Sequence, residues 1–262
     1  MSSSNNLNVI IMAGGLGKRM KSTLPKVLHK VDGLPMVVRV ILEAEKLKPK
    51  SIMIVVGQYK DIIEKTLKNF NVLQHVTFVI QEIPKGTGHA IQCAYDNLEK
   101  LDSDDEILIL SGDTPLISSE LMRRMLNFSD VKIMTTIRED ATGYGRVKVV
   151  DKVFQKIVEH KDCNQAELLI NQVNCGIYAF KNKHLVNYLD KLDNNNEQKE
   201  YYLTDMIEII KTNAKVDIEI YNLPKDDQWL LTNVNDKEQL EFVNEIIRKS
   251  KLTLVPEWGG VI

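Results

Sequence analysis

The chain of 262 residues is predicted to fold as one α/β domain, a three-layer α/β/α sandwich around a mixed, mostly parallel sheet. Two observations carry that prediction. From residue 7 to residue 110, short β-branched runs alternate with stretches of helical periodicity, and parallel neighbours need the crossover that a helix supplies. Beyond Asp130 the alternation gives way to closely spaced strands, which extends the sheet in mixed or antiparallel fashion.

Residues 7–12 form an apolar run broken by Ala-Gly-Gly-Leu-Gly, a buried strand opening into a glycine loop. Met36, Val37, Val40, Ile41 and Ala44 have helical spacing, and 51–56 is again strand-like, which completes one βαβ unit. A helix over 59–68, a strand over 76–81, a helix carrying Ile91, Ala94, Tyr95 and Leu98, and a strand over 106–110 continue the rhythm. The strand-rich part comprises 131–137, 146–150, 153–159 and 172–180. Helices over 183–192 and 202–211 then flank a polar loop, 193–199, and a last strand covers 216–221. Leu240, Val243, Ile246 and Ile247 share one face of an amphipathic helix over 236–250. Residues 1–6 read as a flexible start, and 251–262 as a tail without periodicity in which Trp258 covers a surface.

With 44% hydrophobic residues the chain encloses a normal core, and its net charge of -2 offers no field for a nucleic acid backbone. Cys93, Cys163 and Cys175 are too dispersed for a metal knuckle and too few for a disulfide scaffold, so they read as reduced thiols. No apolar run approaches the roughly 20 residues of a membrane span, and the polar start is no signal peptide. The expectation is a cytoplasmic protein with neither nucleic acid nor membrane as partner, a monomer or a small homo-oligomer.

The glycine loop Ala13-Gly14-Gly15-Leu16-Gly17-Lys18-Arg19-Met20 fits neither familiar phosphate loop. Arg19 stands where Walker A needs Ser or Thr, and Met20 where a dinucleotide fingerprint needs its third glycine. Glycines after a strand can turn successive N–H groups towards phosphate oxygens, and Arg19 and Lys26, behind Pro25, add two cations able to balance a triphosphate. Taken alone, the glycines serve equally well as an ordinary strand-to-helix turn.

The full string, Ala13-Gly14-Gly15-x-Gly17-x-Arg19-Met20 with Pro25-Lys26-Val27-Leu28-His29 and Gly33-x-Pro35-Met36, resembles the nucleoside-diphosphate-sugar pyrophosphorylases. Within them it looks most like the uridylyltransferase domain of bacterial N-acetylglucosamine-1-phosphate uridyltransferases, without the β-helix acetyltransferase domain that follows there. The resemblance implies a Rossmann-like nucleotidyltransferase domain over residues 7–250. Its nucleotide part is about 7–113, its sugar part about 114–235, and 236–250 is a closing helix.

By that resemblance, Ala13, Gly14 and Gly15 meet the nucleotide, and Gln81, Gly86 and Thr87, in Gln81-x-x-x-x-Gly86-Thr87-Gly88-His89, read the uracil. A second glutamine of some relatives is replaced by Pro84. Asp113, in Ser111-Gly112-Asp113-Thr114-Pro115, lies at the carboxyl end of a strand, where ligands bind in open α/β sheets. It also suits a helix-capping turn. The resemblance pairs it with Asn235 as the ligands of Mg2+, a hard cation that takes oxygen donors. Gly143, Gly145, Glu159 and Asn174 would hold the sugar, with residues 195–205 bordering that pocket. The implied reaction joins UTP to N-acetylglucosamine 1-phosphate and releases pyrophosphate, with Arg19 and Lys26 as the catalytic cations. His89 reads as a capping or packing residue.

Overall fold

The computed structural model describes residues 6–250. In chain order the elements are β1 (Leu7–Met12), β2 (Lys30–Val31), β3 (Leu34–Pro35), α1 (Met36–Glu45), β4 (Ser51–Val56), α2 (Lys60–Asn69), β5 (Val76–Ile80), α3 (Thr87–Gln92), α4 (Tyr95–Leu98), β6 (Glu106–Ser111) and α5 (Ser119–Arg123). There follow β7 (Val131–Ile137), β8 (Arg146–Val150), β9 (Val153–Val158), α6 (Gln165–Leu168), β10 (Gln172–Lys181), α7 (Asn182–Tyr188), α8 (Leu203–Ala214), β11 (Ile218–Asn222) and α9 (Lys237–Ser250). The expected tail, with Trp258, lies outside the described residues, as do residues 1–5. Asn6, assigned to the same N-terminal segment, is tied in: its carbonyl accepts from the Glu106 N–H at 2.8 Å.

The main sheet has the order β11-β7-β10-β6-β1-β4-β5, with the β8–β9 hairpin attached to β10. β6, β1, β4 and β5 are parallel, as the βαβ rhythm predicts. β10 is the reversal, antiparallel to both β6 and β7, and β11 returns parallel to β7. The strand-rich region is therefore a mixed extension of one sheet.

Strands this apolar are covered on both faces. Val9, Ile11, Ile52, Ile54, Leu108 and Leu110 point into a core shared with α1, α2 and α5. Their neighbours Ile10, Met53, Val55, Ile107 and Ile109 point the other way, into a core shared with α3, α4, α7 and α8. The period-two alternation of a strand thus sorts one continuous hydrophobic run into two cores. Burying a single such side chain contributes about 1.5–3 kcal/mol. A third, smaller cluster of Met20, Val31, Met36, Leu116, Val234, Val243 and Ile247 seats α9 on the β2–β3 hairpin and the adjoining loops.

Some elements depart from the sequence reading. The helix expected through Ile91, Ala94, Tyr95 and Leu98 is two short helices, because the Ala94 N–H bonds to Ile91 three residues back and tightens the turn. All but Tyr95 of those four residues are still fully buried in the same core, with Tyr95 packed against it. The helix expected over 183–192 is α-helical only to Tyr188 and finishes as a 3-10 turn over Leu189–Lys191. The β2–β3 hairpin turns through Asp32 (φ 49°) and Gly33 (φ 81°), the doubly positive φ of a type I′ turn.

Candidate active site

The loop after β1 and the loop after β6 lie side by side at the carboxyl ends of adjacent parallel strands, where open α/β sheets bind ligands. Two adjoining cavities open there. The smaller, of about 260 Å³, is lined by Ala13, Gly14, Gly15, Lys26, Gln81, Gly86, Thr87, Ser111 and Asp113 among others. The larger, of about 660 Å³, is lined by Arg19, Arg138, Gly143, Gly145, Glu159, Asn174, Asn235 and Phe242 among others. Met12, Thr87 and Ser111 line both.

Lys26 sits at the junction. Its Nζ donates to Asp113 Oδ2 and, at 3.0 Å, to Asn235 Oδ1. The ion pair is largely dry, with side chains 14% and 11% exposed. Burial alone would raise the Asp113 carboxyl pKa; the Lys26 charge and hydrogen bond, with hydrogen bonds from Ser111 and Asn233, outweigh it and hold the carboxyl below its ordinary value. Two hard oxygen acceptors from distant parts of the chain converge on one cation, here the ammonium. That donor set fits Mg2+, which binds through one or two protein oxygens and takes its remaining ligands from substrate phosphates and water.

Lys26 reaches this point because the glycine loop packs against its main chain. Gly17 has φ 60°, and a Cβ built on it would lie 2.6 Å from Lys26 Cβ, so the approach requires glycine. Arg19 follows on a 3-10 turn, Lys18–Met20, and lines the larger cavity, whereas Lys26 lines the smaller.

On the side of the smaller cavity, Gln81 is buried at the end of β5. Its Nε2 donates to the Gly86 carbonyl at 3.1 Å and meets His89 Nδ1 at 3.1 Å. His89 is thereby a partner that orients Gln81, and burial and the nearby Lys85 charge lower its pKa, favouring the neutral ring that can accept. Gly86 has φ 110°, and a side chain there would collide with the Tyr201 carbonyl oxygen. The same stretch is laced to residues 200–204: Tyr201 N–H donates to Lys85 O, Gly88 N–H to Tyr201 O, and Leu203 N–H to Thr87 Oγ1. The segment expected to border the sugar pocket borders both cavities, Glu200 the smaller and Thr204 the larger.

On the other side, Thr204 donates to Glu159 Oε1 at 2.9 Å. Burial, and to a smaller extent Asp162 and Glu200, raise the Glu159 carboxyl pKa against the bond from Thr204. Next to it, burial and then Glu159, Asp193, Glu208 and Asp162 push the Asp205 carboxyl up to about 7. Asn174 stands at an irregularity of β10, where pairing with β7 lapses before Tyr178. Its Nδ2 donates to Tyr178 Oη at 2.6 Å, while Asn174 Oδ1 accepts from the Gly176 N–H. Gly143 and Gly145 flank Tyr144, on whose ring the Arg138 guanidinium stacks at 4.6 Å.

Each of the residues assigned a catalytic, nucleotide-binding, sugar-binding or metal role thus lines one of the two cavities, whereas His89 lines neither. Ser111 and Asn233, both bonded to Asp113 Oδ1, and Arg138 and Phe242 on the larger wall were not singled out as site residues. For the first two a signal existed, since each stands two residues from a proposed metal ligand.

Residues 9–165 match the family model described as MobA-like NTP transferase domain. The chain is 36% identical over 249 residues to the "Probable UDP-N-acetylglucosamine pyrophosphorylase" of Acanthamoeba polyphaga mimivirus, covering 93% of this chain and 97% of that one. It is 40% identical over 247 residues to the "Bifunctional protein GlmU" of Clostridium novyi (strain NT), where the match takes in 92% of this chain and 52% of the relative. It thus spans about half the length of that bifunctional protein. Among solved structures, a UDP-glucose pyrophosphorylase complexed with UDP-glucose superposes with TM-score 0.71 at 17% identity, covering 93% of this chain and 98% of that one. The inositol-1-phosphate CTP transferase of T. maritima superposes with TM-score 0.68 at 18% identity, covering 95% and 98%, and these two likenesses speak to the fold. On the family match and on a 36% identity that spans nearly the whole of a relative, the chain belongs to the family of MobA-like NTP transferase domains.

Proposed function

We propose that the protein transfers the uridylyl group of UTP to N-acetylglucosamine 1-phosphate with release of pyrophosphate, as a Mg2+-dependent enzyme of the cytoplasm. The observation that carries this reading is the convergence of Lys26, Asp113 and Asn235 where the two cavities meet. Two substrates in adjoining cavities would bring their reacting phosphates to that junction. The choice of UTP and the N-acetylated sugar is supported by the name of the mimiviral relative and by the motif string around Gly14 to Met36. No helix among the described residues is long and apolar enough to cross a membrane.

In the reaction an oxygen of the sugar phosphate attacks the α-phosphorus of UTP, and the bond to pyrophosphate breaks in line. The attacking oxygen is already ionised near neutral pH, so no general base is needed; the obstacle is repulsion between anions. Asp113 Oδ2 and Asn235 Oδ1 would hold Mg2+, which supplies positive charge to the phosphate oxygens. Lys26 offsets charge on the triphosphate from the smaller cavity, and Arg19 from the rim of the larger. The main chain at Ala13–Gly15 gives the phosphates a close approach, and Gln81, Gly86 and Thr87 hold the base. Glu159 and Asn174 accept from and donate to the sugar, with Gly143 and Gly145 leaving room for it.

The test is pyrophosphate release with Mg2+, UTP and N-acetylglucosamine 1-phosphate, run beside CTP, GTP, dTTP and glucose 1-phosphate. Selective release with the first pair is expected. Release with a different pair would leave the nucleotidyl-transfer site in place and overturn the substrate assignment, and no release with any pair would overturn the reading altogether.

A further inference from the structure

The carboxylate of Asp113 divides its two oxygens between different tasks. Oδ2 faces the junction and accepts from Lys26. Oδ1 is turned away and accepts from Ser111 Oγ at 2.7 Å and from Asn233 Nδ2 at 3.0 Å. Rotating the carboxylate would give up both donors, so the pair on Oδ1 fixes the direction of Oδ2. Oδ1 is also taken by these two donors, so the oxygen that the carboxylate offers to the junction is Oδ2, the one that Lys26 meets.

Asn233 does more than hold one oxygen. Its Nδ2 also donates to Thr114 Oγ1 at 3.0 Å, and the next amide, Val234 N–H, donates to the Asp113 carbonyl at 3.0 Å. The loop that precedes α9 is thereby fastened to the loop that follows β6 by side-chain and main-chain bonds at the same residues. Asn235, two positions further on, receives its place from that fastening, and its own N–H donates to Gln239 Oε1 at 2.7 Å. One amide therefore takes part, with Ser111, in orienting Asp113 and, with the Val234 N–H, in fastening the loop that carries Asn235.

We propose that Asn233 is a positioning residue for a divalent-cation site, aiming Asp113 Oδ2 and Asn235 Oδ1 at one ion. This rests on the reading of Asp113 and Asn235 as a ligand pair. Residues that orient metal ligands typically change metal affinity by about 10–100-fold when removed. A residue that only fastened two loops would change stability and leave affinity where it was.

The experiment is a titration of the full chain with Mn2+ alone, following loss of the free-ion electron paramagnetic resonance signal, with the metal-free melting temperature recorded for each protein. The proteins are the wild type, Asp113→Ala, Asn233→Ala and Asn233→Leu, the last keeping the volume of the amide without its donors. Expected is binding by the wild type, none by Asp113→Ala, and a loss of about 10–100-fold in both Asn233 variants with little change in melting temperature. Wild-type affinity in either folded Asn233 variant, with binding lost in Asp113→Ala, would overturn the role of Asn233 and leave the ligand pair standing. So would an affinity loss that merely follows a fall in melting temperature from one variant to the other. Equal binding by wild type and Asp113→Ala, or none by the wild type, would overturn the ligand pair itself and this inference with it.

Discussion

The ammonium of Lys26 and the carboxylate of Asp113, 87 residues apart in the chain, form an ion pair whose cation also reaches Asn235. Lys26 thus stands where the proposed reading needs a metal ion, and the two cations would compete for the same two acceptors. Lys26→Met should cut turnover on the order of a hundredfold or more, the usual loss for a charge contact made in the transition state. It should also bind Mn2+ at least as tightly as the wild type. Without a divalent cation its melting temperature should fall, since Asp113 is left buried and unpaired, and added Mg2+ should restore it. Weaker Mn2+ binding in this variant would mean that the lysine supports the ion and does not compete with it.

Asp113→Asn keeps the shape of the side chain and removes its charge. Turnover should drop on the order of a hundredfold or more while circular dichroism stays native. Turnover within a few-fold of wild type would remove Asp113 from the chemistry.

Gly86→Ala forces a side chain against the Tyr201 carbonyl at a positive φ of 110°. A stability loss of about 1–3 kcal/mol is expected from overpacking alone. The KM for UTP should rise with it, because Gln81 is held by the Gly86 carbonyl. Calorimetry and initial rates would separate the two effects, and an unchanged KM would detach this turn from nucleotide binding.

Glu159→Ala should raise the KM for the sugar phosphate by about tenfold or more and leave that for UTP nearly unchanged, as expected for loss of a hydrogen bond to a charged group. Equal changes in both constants would place Glu159 outside acceptor recognition.

Asp205 makes stability depend on pH. Its carboxyl, ordinarily at 3.8, is pushed up to about 7 in the folded protein. Below about pH 4 both states carry the proton; between that and about 7 the unfolded chain ionises first, so stability falls as pH rises. Above that window the loss is constant. Asp205→Asn should therefore melt higher than wild type at about pH 8, with the gap closing towards about pH 4. A gap independent of pH would show that Asp205 is not the titrating group.

The long elements were legible because their periodicity spans several turns or a full strand. β1, α1 and β4 run to within a residue or two of the limits that Leu7, Met36 and Ser51 suggest. α5 and α6, of five and four residues, are shorter than the window in which a period can be read. Their traces are caps instead, Ser118 in one and the reciprocal Asn164–Glu167 pair in the other. In the site, motif order pointed to Lys26, Asp113 and Asn235, whereas the bond from Asn233 to Asp113 spans 120 positions and leaves no local pattern. Nor does spacing reveal that residues 200–204 touch both cavities, since that follows from backbone bonds to Lys85, Thr87 and Gly88.

Those backbone bonds bear on how such an enzyme could be redesigned. The strap formed by residues 200–204 grips the turn at Lys85–Gly88 with its main chain and Glu159 with the hydroxyl of Thr204. On the proposed reading, a library that randomised the strap to admit a new acceptor would disturb triphosphate selection in the same stroke. Arg138 and Phe242 line the larger cavity without lining the smaller one. On the same reading, those two positions would allow acceptor preference to be altered without touching the smaller cavity.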